Sequence, residues 1–179
     1  MFSVPSRCDL NVELKARIHD LPQAREVASR LATRPGEQQQ QRDTYFHSPT
    51  GRFKLREIND QAGQLIWYQR AHQQQSKSSH YMLIDVPDSD AMRTVLEAAL
   101  GIRAVVEKQR EIYFYHNVRI HLDDVRSLGT FLEFEAVLEN ADQLEQGHQQ
   151  LEFLRRQFAI ADQDLLEGSY GEMVGAKSN

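Results

Sequence analysis

Eleven charged residues recur at alternate positions within short segments that read as β-strands: Glu13, Lys15, Lys54, Arg56, Arg70, Lys108, Arg110, Arg119, Asp123, Glu133 and Glu135. Residues two apart in a strand project from the same face, so each group shares one surface. Lys and Arg gathered on one wall would hold a polyanion, because guanidinium forks match phosphate oxygens. Carboxylates among them are tolerable away from water only if paired or engaged with a hard cation. Phosphoryl or nucleotidyl transfer needs that combination, charge neutralisation together with in-line positioning. Each polar face taken alone is what the wet side of an ordinary sheet presents. Repetition with mixed sign on many segments favours one shared interior instead.

The elements that must position these residues are legible in part. Period-two alternation predicts strands over Asn11–Ile18, Arg52–Glu57, Gln64–Arg70, Tyr81–Val86, Val105–Tyr113, Asn117–Asp123 and Thr130–Val137. Turn signals at 48–51, 59–63 and 127–129 predict hairpins. Helical spacing predicts helices over Asp20–Thr33, Asp88–Leu100, Ala141–Phe158 and a short Asp162–Val174. Gly147 weakens the third of these. The glutamine- and serine-rich stretches Gly36–Gln41 and Ala71–Ser79 read as mobile loops. The opposite strand faces, such as Val12, Leu14, Ala16 and Ile18, are apolar and need cover, which the amphipathic helices can supply. A barrel coated by helices carries its polar face inside.

Bulk properties narrow the choice. A chain of 179 residues suits one domain, and neither a repeat nor a linker divides it. Its net charge of −5 disfavours nucleic acid and anionic membranes as partners, so an anionic ligand needs a local basic cluster. The single Cys8 supports neither an intrachain disulfide nor a thiolate metal site. No apolar run reaches membrane-spanning length and no signal-peptide core is visible, so a cytoplasmic location is expected. Glycine-rich phosphate loops, dinucleotide fingerprints and a nucleophile elbow are absent. His121 shares the polar face of its strand, where filler or a hydrogen-bonding role outweighs contact with a ligand. A crowded basic lumen also predicts that Arg56→Ala or Arg110→Ala relieves repulsion, adding a few tenths to about 1 kcal/mol of stability.

The run Asn117-Val118-Arg119-Ile120-His121-Leu122-Asp123-Asp124-Val125, with Leu128-Gly129-Thr130-Phe131-Leu132-Glu133-Phe134-Glu135, resembles the signature of the CYTH superfamily. Glu13-x-Lys15, Asp43-Thr44-Tyr45-Phe46 leading to Lys54-Leu55-Arg56, and Val106-Glu107-Lys108-Gln109-Arg110 fall in the family's order. The likeness runs from about residue 9 to 174 within a single domain of residues 1–179. It is greatest to the bacterial class IV adenylyl cyclase-like branch; thiamine and inorganic triphosphatases belong to the same superfamily.

The resemblance implies an α+β fold: a closed antiparallel β-barrel of about eight strands, a triphosphate tunnel with helices on its outer face. It implies phosphate binding by Lys15, Lys54, Arg56, Arg70, Lys108, Arg110 and Arg119. Mg²⁺ or Mn²⁺ would be held by Glu13, Glu133 and Glu135, with Asp123 ligating the metal or positioning its water. Lys15, Arg56 and Asp123 are the implied catalytic residues. The implied partner is a triphosphate-bearing small molecule: ATP, thiamine triphosphate or inorganic tripolyphosphate. A homodimer is compatible with the chain. The reaction is cyclisation of ATP to cyclic AMP and pyrophosphate, or triphosphate hydrolysis. Where the family's first strand reads Glu-x-Glu-x-Lys, this chain has Asn11, which removes one charge and makes a non-catalytic binding module the alternative.

Overall fold

The computed structural model describes residues 9–61, 63–70 and 77–177. Eight strands and four α-helices follow in the order β1 (Asp9–Arg17), α1 (Leu21–Leu31), β2 (Arg34–Phe46), β3 (Arg52–Ile58), β4 (Gly63–Arg70), β5 (Lys77–Val86), α2 (Ser89–Leu100), β6 (Ile102–Tyr115), β7 (Val118–Val125), β8 (Gly129–Leu138), α3 (Leu144–Gln157) and α4 (Tyr170–Lys177). The architecture is therefore α+β. Every strand pairing is antiparallel, in the order β1-β5-β4-β3-β2-β6-β7-β8. The sheet curls strongly: β1 pairs with β8 along Leu10–Arg17 and, over the shorter stretch Asp9–Glu13, with Lys77–Tyr81 of β5. The expected turns are where φ becomes positive, at Gly51, Asn59, Asp60, Ser127 and Gly129.

Three expectations fail. Of the loop expected over Ala71–Ser79, Lys77–Ser79 begins β5, and residues 71–76 lie outside the described residues. Gly36–Gln41 is not a loop but the first half of β2, paired with β6 from Glu37–Ile112 onward after a register shift. Its glutamines lack apolar alternation because Gln39 and Gln41 face a polar interior. The backbone ladder supplies what side-chain patterning does not. The stretch from Asp162 is not one helix either. Asp162–Asp164 forms a single 3₁₀ turn, Leu165 bridges Ala16, and Leu166 N–H donates to the Lys15 carbonyl at 2.9 Å. Helix begins only at Tyr170, where Ser169 and Glu172 cap it reciprocally. Ser169 N–H donates to Glu172 Oε2 at 2.7 Å, and Glu172 N–H donates to Ser169 Oγ at 3.3 Å.

Helices α1 and α2 begin as their sequences suggest, whereas α3 begins at Leu144 after a 3₁₀ turn over Ala141–Gln143. The Asp20 carboxylate accepts from Gln23 N–H, and Asp88 from Ala91 N–H. Helices α1 and α3 cover the outer faces of β1, β7 and β8, burying Val12, Leu14, Ile120, Phe134, Leu151 and Leu154. Gly147 serves that approach. A Cβ there would stand 3.2 Å from Val12 and 3.3 Å from Leu138, so the residue that weakens α3 also lets it lie close to the sheet. Helix α2 covers Phe46, Leu55 and Val86 with Met92 and Leu96. The outer apolar faces of β1, β7 and β8 and the Phe46–Leu55–Val86 cluster are thus covered, Met82 and Ile84 of β5 stay exposed, and the charged faces turn inward.

Because Leu151 is fully buried between α3 and the sheet, Leu151→Ala should destabilise the protein by roughly 2–5 kcal/mol. Equilibrium urea unfolding checks this; a change below about 0.5 kcal/mol would mean α3 is not part of the cooperative core.

Candidate functional site

The inner faces of the strands surround a cavity of about 450 Å³. Seven Lys and Arg line it against four Glu, although the chain as a whole is acidic. Lys15, Lys54, Arg56, Lys108, Arg110 and Arg119, Glu13, Glu133 and Glu135 are all on that lining. Arg70 ends β4, and its side chain lies outside the described residues.

Two fully buried carboxylates organise the cations. Asp43 on β2 accepts from Lys54 Nζ at 2.8 Å and Lys108 Nζ at 3.1 Å, both on Oδ2. Arg56 grips it with both limbs of its fork, Nε to Oδ1 at 2.7 Å and Nη2 to Oδ2 at 2.9 Å. Burial would raise the Asp43 pKa, but Arg56, Lys108 and Lys54 together hold it well below the usual carboxylate range. On the lysines the balance goes the other way. Burial, then Arg56, pushes Lys54 down to about 8 in spite of Asp43, and burial with Arg110 lowers Lys108 as well.

The second carboxylate, Asp123 on β7, takes both limbs of Arg110, Nε to Oδ1 and Nη2 to Oδ2, each at 2.6 Å. Tyr170 O–H also donates to Asp123 Oδ2 at 2.8 Å. Asp123 therefore stands behind Arg110 with both oxygens engaged and is not on the cavity lining. Despite burial, Arg110 holds its pKa below the ordinary value.

β1 and β8 carry the remaining acids. Their register sets Glu13 beside Glu135 and Lys15 beside Glu133. Glu133 meets Lys15 at 3.2 Å, Arg110 at 2.9 Å and His121 at 3.5 Å. Burial and Arg110 depress the His121 pKa, which favours the neutral ring at pH 7. Glu135 accepts from Arg119 at 3.2 Å and from the Asn11 amide at 2.6 Å. Asn11 is 3% exposed, and its carbonyl oxygen has no hydrogen-bond partner. Among the described residues, no group of three His, Cys, Asp or Glu is spaced to hold a metal ion. The donors suited by type to Mg²⁺ or Mn²⁺ are the oxygens of Glu13, Glu135 and Asn11, all hard.

Helix α4 closes the site from the other side. Arg52 Nε and Nη2 both donate to Glu172 Oε1, at 3.0 and 2.8 Å. Against its partial burial, the Ser169 amide and Arg52 draw the Glu172 pKa down to about 2. Lys15 Nζ lies 3.9 Å above the Tyr170 ring, and Gly171 approaches Tyr45 so closely that a Cβ would stand 2.8 Å from that ring.

The sequence reading missed Asp43, Tyr170 and Glu172 as parts of this site. Asp43 carries a usable signal, since Gln41, Asp43 and Tyr45 alternate onto one face and continue the polar wall. Ser169-Tyr170-Gly171-Glu172 carries another, the capping-box spacing. Nothing local indicates that Tyr170 reaches Asp123, 47 residues away.

The family model described as the CYTH domain matches residues 9–170. The chain belongs to the CYTH domain family. Its relatives include a Methanocaldococcus jannaschii protein provisionally named an adenylate cyclase, 24% identical, with 93% of this chain and 99% of the relative covered. Among solved structures, a Pyrococcus horikoshii OT3 protein is similar with a TM-score of 0.80 at 22% identity, covering 92% of this chain and 99% of its own. A Vibrio parahaemolyticus protein provisionally titled an adenylate cyclase has a TM-score of 0.74 at 22% identity, covering 93% and 98%. At those identities the solved structures show a shared fold. Among the described residues of this CYTH chain, no helix is long and apolar enough to cross a membrane.

The geometry argues against the expected relief of repulsion on removing Arg110, which is matched by the buried Asp123 and by Glu133. Arg110→Ala would strand Asp123, whereas Arg56→Ala leaves Asp43 held by Lys54 and Lys108. Removing one partner of a buried pair costs on the order of 3–5 kcal/mol. Denaturant unfolding at pH 7 should show Arg110→Ala destabilised by that order; equal or greater stability would overturn the pairing. Acid should act through the same groups. Asp43, Asp123 and Glu133 have folded pKa values below their unfolded ones. Their contribution is complete above the unfolded values near about 4 and is lost as pH falls through the folded ones. Melting temperature should therefore fall steeply below about pH 4, and the wild type should lose more there than Asp123→Asn.

Proposed function

We propose that this CYTH protein binds a triphosphate-bearing molecule in its cavity, with Mg²⁺ or Mn²⁺, and transforms it. Cyclisation of a nucleoside triphosphate or hydrolysis of the triphosphate are the candidate reactions. The observation that carries the reading is the concentration of Lys15, Lys54, Arg56, Lys108 and Arg110 on neighbouring inner faces of an acidic chain. In this reading the curled sheet acts as a tunnel closed around the phosphates. The provisional cyclase names of the Methanocaldococcus and Vibrio proteins agree with a triphosphate substrate.

Arg56 and Arg110 meet phosphate oxygens with forks already aimed by Asp43 and Asp123, so little side-chain freedom is lost on binding. Lys15 and Arg56 neutralise charge that develops on the transferred group. Asp123 acts through Arg110 as a positioning residue. Arg119, half exposed at the rim, receives the ligand. Glu13 and Glu135, with the Asn11 carbonyl oxygen, would hold the metal, and Glu133 joins them if the ligand takes over its lysine and arginine partners. The bound ion would supply Lewis-acid polarisation of the phosphate oxygens. A tile of Ile66, Tyr68, Tyr81 and Leu83 lines the same cavity, in register across β4 and β5. It suits an organic head group better than inorganic tripolyphosphate.

A second reading, binding without turnover, draws on one contact. Asn11 gives the metal site a neutral oxygen, and its amide engages Glu135.

A product screen with Mg²⁺ or Mn²⁺ and, separately, ATP, thiamine triphosphate and tripolyphosphate tests the proposal. Cyclic AMP with pyrophosphate, or released phosphate, supports turnover; binding without any product supports the module. Absence of binding to all three refutes both. Arg56→Met should weaken triphosphate binding roughly tenfold to a hundredfold, the loss of charge-assisted hydrogen bonds. Asn11→Glu should lower the half-saturating Mg²⁺ concentration. An unchanged value would remove position 11 from the metal site.

A further inference from the structure

We propose that binding of a polyphosphate in this cavity takes up a proton from solvent onto the Lys54–Lys108 pair, which shares one oxygen of Asp43. The inference rests on the reading of the cavity as an anion site and adds a proton to its binding equilibrium.

Three cations converge on one carboxylate. Lys54 Nζ, Lys108 Nζ and Arg56 Nη2 lie 2.8, 3.1 and 2.9 Å from the same Asp43 Oδ2. The side chains of Lys54, Lys108 and Asp43 are 9%, 1% and 0% exposed, so solvent screens the two surplus positive charges poorly. The surroundings offer little further compensation. From β6, Arg110 adds another positive charge, and Asp123 on β7 is committed to Arg110 and Tyr170. The other groups facing the pair are Tyr45 of β2, Tyr68 of β4 and Tyr170 of α4. Their rings lie 5.3 Å (Tyr45) and 5.7 Å (Tyr68) from Lys54 Nζ and 5.3 Å (Tyr170) from Lys108 Nζ. A ring face attracts a cation but does not replace a counter-ion.

The excess must be relieved at the lysines. Guanidinium does not lose its proton in any accessible pH range, whereas a buried ammonium does. The lowered pKa values of both lysines agree with that geometry. Around pH 8 the empty site therefore holds part of the pair as neutral amine. An entering polyphosphate brings the missing negative charge, and Lys–NH₂ accepts H⁺ from water to become Lys–NH₃⁺. No other bond changes.

The test uses tripolyphosphate alone, without metal, and the full chain. In the empty wild type, the ¹³Cε signal of Lys54 should titrate near pH 8, and that of Lys108 below the ordinary lysine range. With tripolyphosphate saturating, the midpoint should move up by at least about one unit. Calorimetry in buffers of different ionisation enthalpy should show proton uptake at pH 8. Affinity should fall about tenfold from pH 7 to pH 9, less whatever the ligand's own ionisation gives back. Lys54→Arg and Lys108→Arg keep the charge and remove the titrating amine, so at least one should take up fewer protons than wild type. The inference is overturned if both lysine signals in the empty protein titrate only above about pH 10, or if bound ligand leaves their midpoints unchanged. Failure of tripolyphosphate to bind at pH 6.5, where Lys54 is charged in either case, would instead overturn the anion-site reading.

Discussion

Matching buried positive charge with buried carboxylate is the constraint on which the rest of this molecule depends. Cations drawn out of water cost several kcal/mol each unless an anion sits against them with good hydrogen-bond geometry. Here Asp43 and Asp123 meet that need from adjoining parts of the wall, and both are fully buried. They also aim what they neutralise, since Arg56 and Arg110 are each held by two hydrogen bonds. An anion-binding surface would otherwise be a set of mobile side chains repelling one another. The two acids make it a fixed arrangement, and neither needs to touch ligand to do so. Neutralisation is uneven, however. Arg110 has Asp123 and Glu133, whereas Lys54, Arg56 and Lys108 divide a single acid.

That constraint explains the inversion of the usual sheet, in which the charged face is outside. An inward polar wall is stable only if the outward face is apolar and covered, and α1, α2 and α3 supply the cover. The helices are therefore part of the condition for having the site. Helix α4 differs, because it belongs to both sides. Tyr170 packs on Phe131, with ring centroids 5.0 Å apart, and donates its hydroxyl to Asp123. Arg52 and Glu172 tie the same helix to β3. A change in α4 would thus reach the site cations through Tyr170 without any residue of the wall being altered.

Chemically, the wall is suited to groups that carry several negative charges in a row, and its carboxylates are divided by neighbour. Glu133 is engaged by Lys15, Arg110 and His121, while Glu135 is shared between Arg119 and the Asn11 amide. Asn11 contributes oxygen without charge at a position where its carbonyl is buried and unpartnered. In the proposed reading the site has more groups for phosphate than for metal, and cation affinity would depend strongly on what the ligand itself contributes.

Most of the strands and the first three helices were legible because their patterns are local. Alternation marks a strand with two unlike faces, and Asp20 and Asp88 announce helix starts through bonds three residues away. The identity of the inward residues was legible for the same reason, as Lys54 and Arg56 or Glu133 and Glu135 must share a face wherever it points. The glutamine half of β2 was not legible, because both its faces are polar and only pairing with β6 makes it a strand. The 3₁₀ turn and bridge before α4 escaped for a related reason: Leu165 and Leu166 are placed by β1, not by their neighbours. The sequence by itself therefore determined which residues face together and how their charges alternate. Only the tertiary structure decided which acid neutralises which base, since Asp43 meets Lys108 across 65 positions and Glu133 meets Arg110 across 23. Those pairings are set by strand order and register, and no local pattern encodes either.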